Sequence, residues 1–213
     1  MSPAPVSAAL VARAAALVPA GGRAVLGVAG SPGAGKSTLV AALLAALRAE
    51  LGADAVAHVP MDGFHLADVE LARLGRSGRK GAPDTFDAGG YLALLRRIRA
   101  RTEDVVYAPQ FERDLEQPVA GAIPVPRAAR LVLTEGNYLL LDAPVWRDVP
   151  AELDEVWFCA ADDTVRRARL LARHVAFGKS PEAAAAWVAA VDDPNTALVE
   201  ASRGRADLVV PVG

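Results

Sequence analysis

The sequence predicts an α/β fold: three layers, with a mainly parallel sheet and helices on both faces. Apolar runs of strand length at 24–29, 55–60, 104–107, 130–134, 155–160 and 207–211 alternate with stretches of helical periodicity. The glycine-rich octapeptide Gly30-Ser31-Pro32-Gly33-Ala34-Gly35-Lys36-Ser37 joins the first run to the first long helical pattern. Strand, glycine-rich turn and helix in that order form a supersecondary unit typical of such folds.

At the N-terminus, Val6, Leu10, Ala14 and Leu17/Val18 recur at helical spacing, which predicts an amphipathic helix ending at Pro19-Ala20-Gly21-Gly22. It does not read as a signal peptide, because no early basic segment precedes it and Arg13 interrupts it. Val25-Leu26-Gly27-Val28 form the first strand, and the run from Thr38 to Leu47 lies in a helix over 36–51. Further helices are predicted at 88–101, 162–177, 181–191 and 195–203. Their start signals are Asp162 or Asp163, Ser180-Pro181-Glu182 and Asp193-Pro194. Residues 75–87 and 108–128, rich in Gly, Pro and charge, read as long loops, with a small hairpin in 118–126. No internal repeat is evident, and 213 residues suit one domain over 1–213.

A net charge of -2 gives no footprint for nucleic acid or a membrane surface. No apolar run approaches the roughly 18 residues of a membrane span. The one cysteine, Cys159, lies in the apolar run Val156-Trp157-Phe158-Cys159-Ala160 and reads as a core thiol of a cytoplasmic, reducing compartment.

The octapeptide matches G-x-x-x-x-G-K-[ST], the phosphate-binding loop, in the strand–loop–helix setting that motif requires. Glycines let backbone N–H groups curl around phosphate oxygens, and the following helix presents its positive end. Gly30, Ser31, Gly33, Ala34, Gly35, Lys36, Ser37 and Thr38 are the expected nucleotide contacts. Lys36 would reach the β- and γ-phosphates, and the Ser37 hydroxyl would ligate Mg²⁺. Lysine occurs only at 36, 80 and 179 while arginine is plentiful, so a lysine at this position is informative.

Three further features fit this loop. The second run ends in Val59-Pro60-Met61-Asp62-Gly63-Phe64-His65. An acid just past a strand's carboxyl end sits beside the loop, where Asp62 would take a hydroxyl proton or help hold metal; His65 is a candidate substrate contact. Leu131-Val132-Leu133-Thr134-Glu135-Gly136 has the layout of a Walker B strand, with Glu135 as the acid on the metal. Arg166, Arg169 and Arg173 follow i, i+3, i+7 and share a helix face suited to a lid over phosphates.

Together these segments resemble the uridine kinase, phosphoribulokinase and type I pantothenate kinase group of P-loop kinases, in particular a branch of fructose-transport or nucleoside kinase-like proteins. The resemblance covers roughly 22–211. It is carried by the phosphate loop, Met61-Asp62-Gly63-Phe64-His65-Leu66, Arg79-Lys80-Gly81-Ala82-Pro83-Asp84-Thr85-Phe86-Asp87, Thr134-Glu135-Gly136-Asn137-Tyr138 and the arginine helix. It implies that Asp62 activates an acceptor hydroxyl and that Asp84, Tyr107 and Arg113 of Phe111-Glu112-Arg113 touch the acceptor. It further implies that Arg169 and Arg173 are lid arginines and that Asp193-Pro194-Asn195 lies near the adenine. The lid then spans about 162–180, and the acceptor-binding loops about 62–87 and 107–126. Two departures stand out: the lid ends in Ala176-Phe177-Gly178-Lys179-Ser180, less basic than in uridine kinases, and Gly63 replaces the serine of the uridine kinase signature. The implied activity is transfer of the γ-phosphoryl group of ATP, with Mg²⁺, to a hydroxyl of a sugar, nucleoside or pantothenate-like metabolite. No nucleic acid or membrane partner is expected, and a homodimer is left open. The alternatives are an ATPase coupled to a partner or transporter, and a GTP-dependent switch. For the switch, Asp87-Ala88-Gly89-Gly90 matches D-x-x-G by letters, but it follows no apolar strand and no N-K-x-D motif exists.

Overall fold

The computed structural model describes residues 6–212. Five strands form a parallel sheet: β1 (Ala24–Ala29), β2 (Val56–Pro60), β5 (Leu131–Gly136), β6 (Glu155–Ala161) and β7 (Leu208–Val212), in the order β2-β5-β1-β6-β7. Every pair in it is parallel. The helices are α1 (Ala8–Ala16), α2 (Lys36–Leu51), α3 (Asp68–Arg73), α4 (Ala88–Ala100), α5 (Asp163–Ala176), α6 (Pro181–Trp187) and α7 (Asp193–Ala201).

Side chains alternate across each strand, so a strand apolar at every position feeds two cores. Leu26, Val28, Leu131, Leu133 and Trp157 pack under Leu39, Val40, Leu43 and Leu47 of α2, with Ala14 of α1 behind them. Val25, Val132, Val156 and Phe158 face the other way, toward Tyr91, Leu95 and Ile98 of α4 and Trp146. β1 and β5 are buried along their whole length, as central strands covered on both faces must be. This is the predicted three-layer α/β arrangement. Among the described residues no helix is long and apolar enough to cross a membrane.

The run at 104–107 is the exception. It does not join the main sheet but begins β3 (Val105–Glu112), which pairs antiparallel with β4 (Gln117–Pro126) in a separate two-stranded sheet. The expected long loop at 108–128 is therefore mostly hairpin, and 118–126 is one arm of it rather than a small hairpin by itself. Val106 and Ala108 are buried whereas Tyr107 is exposed, the alternation of a ribbon with one dry face, and an irregularity between Ala108 and Gln110 shifts the phase so that Phe111 is buried too. Pro118, Pro124 and Pro126 are tolerated because a two-stranded ribbon is all edge. The hairpin lies close against the end of β2: a Cβ at Gly63 would sit 2.2 Å from the Pro109 carbonyl oxygen. The lack of a side chain at 63 thus lets hairpin and strand end touch.

Other boundaries shift less. α1 stops at Ala16, three residues before Pro19, with Ser7 as its N-cap. The helices expected at 181–191 and 195–203 form one run, α6 and α7 joined by a π-helical segment at Val188–Asp192. The short α3 and the 3₁₀ stretch Trp146–Glu152 carry no periodicity long enough to predict. Asp87 of the D-x-x-G match caps α4, accepting the Gly90 N–H at 2.8 Å.

His58, on the edge strand β2, is the one buried side-chain polar atom without a partner among the described residues, at Nε2. Burial, with repulsion from Arg48, lowers its pKa to about 4. The unfolded chain takes that proton near pH 6.5, so folding stability is complete above that pH and falls as the pH drops toward 4. Between pH 7 and pH 4.5 the wild type should lose about 2–3 kcal/mol through this group alone. Urea unfolding of wild type and His58→Leu at both pH values checks this: the variant should lose that much less on acidification, and equal losses would remove His58 from the acid response.

Candidate active site

β1 runs into the glycine-rich loop, and the loop into α2. Gly30, Gly33 and Gly35 all have positive φ, at 147°, 78° and 97°. At Gly33 space also forbids a side chain, because a Cβ would lie 2.8 Å from both the Arg166 carbonyl oxygen and Leu170 Cγ of α5. The loop is therefore wedged between the sheet and the arginine helix. Ser31 is fully buried and its hydroxyl donates to Glu200 Oε1 of α7 at 2.5 Å. Its side chain thus anchors the loop rather than lining it.

Lys36, 8% exposed, donates from Nζ to the Ser31 carbonyl oxygen at 3.1 Å and to Asn137 Oδ1 at 2.7 Å. Burial lowers its pKa, opposed by the nearby carboxylates of Glu135 and Asp62. Ser37 Oγ donates to Glu135 Oε1 at 2.9 Å. Burial raises the pKa of Glu135, opposed chiefly by Lys36. Asp62 moves the other way: burial acts to raise its pKa, but His65, Arg113, Lys36 and Arg173 together hold it below the usual carboxylate range. Its carboxylate receives Arg113 Nη2 at 2.7 Å. His65 packs against Phe86 and Phe111, with ring centroids at 4.0 and 4.7 Å. Burial lowers its pKa, and its Nδ1 lies 2.8 Å from the Asp62 carbonyl oxygen. A carbonyl only accepts, so Nδ1 carries the proton and Nε2 is the acceptor of the neutral ring.

Lys36, Ser37, Asp62, His65, Arg113, Glu135, Arg173 and Asn195 all line one cleft of about 670 Å³. The remaining site expectations fall elsewhere. Asp84 lies outside the cleft lining and is paired with Arg79 at 2.7 Å and Arg76 at 3.4 Å. Tyr107 is 58% exposed, opposite Pro124 on the outer face of the hairpin. Arg169 and Arg173 do not share a space. Arg173 lines the cleft, whereas Arg169 lines a second groove of about 630 Å³ with Gly35, Thr38 and Val212. Arg166 is only 4% exposed, binding Asp163 at 2.6 Å and the Pro32 carbonyl oxygen at 3.4 Å, so the three arginines are not one open basic face. Asn195 is buried in the cleft wall, away from the groove beside Thr38; its neighbour Asp193 pairs with Arg167.

Sequence reasoning missed several lining residues. Asn137, which holds Lys36, directly follows the acid-bearing strand end. Lys80 binds Asp68 Oδ1 at 2.7 Å and the Glu116 carbonyl oxygen at 2.6 Å; as one of three lysines it was open to notice. His174 and Asp192, 2.8 Å apart, and Trp187, beneath Lys179, meet only through the fold of α5 on α6 and carry no sequence signal.

Comparison with known proteins bears on the nucleotide-binding part and on the whole chain separately. A family model described as methylmalonyl Co-A mutase-associated GTPase MeaB matches residues 5–63, which span α1 to the end of β2. A Schizosaccharomyces pombe protein named as a putative uridine kinase is 38% identical over 160 residues, 73% of this chain and 68% of the relative. The Escherichia coli protein YggC, uncharacterised, is 34% identical over 188 residues, 88% of this chain and 77% of the relative. The crystal structure of a putative fructose transport system kinase from Silicibacter superposes with a TM-score of 0.85 at 37% identity, over 95% of this chain and 98% of that one. With relatives of this identity matched over most of their length, and with the phosphate loop, Glu135 and Asp62 brought to one cleft, the chain belongs to the P-loop kinases of the uridine kinase, phosphoribulokinase and type I pantothenate kinase group.

Proposed function

We propose that the protein is an ATP-dependent kinase that transfers the γ-phosphoryl group to a hydroxyl of a small metabolite. One observation carries this reading: a phosphate-loop lysine, a buried acid joined to the loop serine and a second carboxylate paired with Arg113 line a single cleft. The second groove supports the placement of the nucleotide. It opens beside Thr38 at the start of α2, and Leu10, Leu39, Leu208 and Val210 give it apolar walls suited to a base, with Arg169 at its edge.

Mg²⁺ fits the residues present. Ser37 Oγ and the Glu135 carboxylate are hard oxygen donors, and among the described residues no cluster of three or more His, Cys, Asp or Glu exists that would hold a metal alone. Magnesium takes one or two protein oxygens and completes its shell with water and phosphate oxygens. When bound, it neutralises phosphate charge during transfer. Lys36 adds charge to the same phosphates, and Arg173 reaches the cleft from the lid helix.

Asp62 accepts the proton of the acceptor hydroxyl as its oxygen bonds to phosphorus, while the bond to the departing ADP oxygen breaks with its electron pair. The acceptor lies against His65, Phe86 and Phe111, with Nε2 of His65 receiving a second donor. A polyhydroxyl compound with one apolar face meets those contacts, in keeping with the sugar and nucleoside named for the relatives. The reaction suits a cytoplasmic protein, as does the buried Cys159 thiol, whose pKa is pushed up to about 11.

Three outcomes test the reading. In coupled ADP-release assays with hydroxyl metabolites, Asp62→Asn should lower transfer at least about a hundredfold. Calorimetry should show its ATP affinity nearly intact; a rate above about a tenth of wild type would end the general-base role. Glu135→Gln should raise the Mg²⁺ concentration for half-maximal rate several-fold, whereas an unchanged metal dependence would reduce Glu135 to a structural partner of Ser37. Because Arg169 and Arg173 face different spaces, their alanine variants should differ. Arg169→Ala should chiefly raise the KM for ATP, and Arg173→Ala should chiefly lower kcat. Identical kinetic signatures would contradict the division of the two arginines between groove and cleft.

A further inference from the structure

We infer that Arg113 is a specificity-determining positioning residue: it occupies the Asp62 carboxylate until an acceptor exchanges with it, and so keeps that carboxylate from serving water. The inference rests on the kinase reading above. The two groups meet from different elements, Arg113 from the tip of the hairpin and Asp62 from the end of β2, with Nη2 and Oδ2 2.7 Å apart. Neither is locked away, since their side chains are 44% and 32% exposed. A solute entering the cleft therefore meets the ion pair, and an exposed pair is held weakly enough to exchange.

The displaced guanidinium already has a resting place. Arg113 Cζ lies 4.8 Å from the centroid of the Phe111 ring, a cation–π contact that does not require Asp62. The hairpin tip itself is tied down. Lys80 donates to the Glu116 carbonyl oxygen at 2.6 Å, and Gln117 Oε1 accepts the Asp68 N–H at 3.1 Å. Exchange is thus a side-chain movement on a fixed support.

The chemical need follows from the openness of the cleft. Water is present at far higher concentration than any metabolite and is also a hydroxyl. If Asp62 accepted a water proton, the water oxygen would bond to the γ-phosphorus, the bond to ADP would break with its electron pair, and phosphate would be released. A carboxylate hydrogen-bonded to a guanidinium has given up part of its capacity to accept that proton. An acceptor with several donors competes for the carboxylate where a single water does not.

The test uses the full chain with MgATP alone, then with fructose and with uridine as acceptor probes. Arg113→Ala should raise acceptor-free ADP release at least fivefold, with circular dichroism and ATP affinity unchanged. Arg113→Lys, which keeps the charge at the hairpin tip, should stay within about twofold of wild type. In the double variant with Asp62→Asn the rise should vanish. Acceptor-free release by a folded Arg113→Ala at or below the wild-type rate overturns the inference and leaves the kinase reading standing. A rise that survives in the double variant also overturns it, because the water is then not activated by Asp62. If wild type transfers phosphoryl to a probe and Asp62→Asn leaves that transfer unchanged, both readings fall.

Discussion

The site depends on the placement of one buried cation. Lys36 is almost fully withdrawn from water, yet among the described residues its ammonium reaches only a backbone carbonyl and the Asn137 amide as direct hydrogen-bond partners. A desolvated ammonium is costly unless charge lies nearby. Here Glu135 and Asp62 supply it through the field rather than by direct hydrogen bond. The converse also holds: Lys36 is the largest influence opposing the burial that pushes protons onto Glu135. Lys36, Glu135 and Asp62 are thus one electrostatic unit, and phosphate oxygens arriving at the loop would meet a cation whose amide partner and carbonyl partner carry no formal charge.

Strand order explains why these groups meet although they lie about 100 residues apart. β5 sits between β1 and β2, and Glu135 stands level with Val28 on one side and Pro60 on the other. Two residues beyond each partner come Gly30 and Asp62. Parallel strands that end at the same level deliver their next residues to one edge, which is where ligands bind in open α/β sheets. The antiparallel hairpin then closes the far side of the cleft, and Gly63 lets it approach near enough for Arg113 to reach Asp62.

What was legible in the sequence follows from range. The phosphate loop, the strand-end acids and the five sheet strands are local patterns: a glycine spacing, an apolar run, an acid at its end. The three strands nearest the loop were legible for another reason, being apolar on both faces. The run at 104–107 has the same local appearance, and only its antiparallel pairing with β4 assigns it to a ribbon. Asp84 and Tyr107 came from resemblance alone, and the fold spends Asp84 on Arg76 and Arg79 and leaves Tyr107 on an outer face. His174, Asp192 and Trp187 were illegible because their meeting is tertiary. No spacing rule connects residues on helices that turn back on each other.

Helix α5 shows how one periodicity serves two ends. Arg166, Arg169 and Arg173 have the spacing of a single face, and a single function was the natural reading. But only Arg166 of the three is buried, whereas Arg169 and Arg173 are exposed. Arg166 is pinned to Asp163 and Pro32 beneath Gly33, while Arg167 is held by Asp193. Those bonds tie the base of the helix to the loop and to α7, and α7 in turn holds Ser31 through Glu200. The far end carries Arg173, His174 and Phe177 into the cleft, where His174 meets Asp192 of the π-helical segment. Asp192 sits at the end of that π segment, a feature common at functional sites.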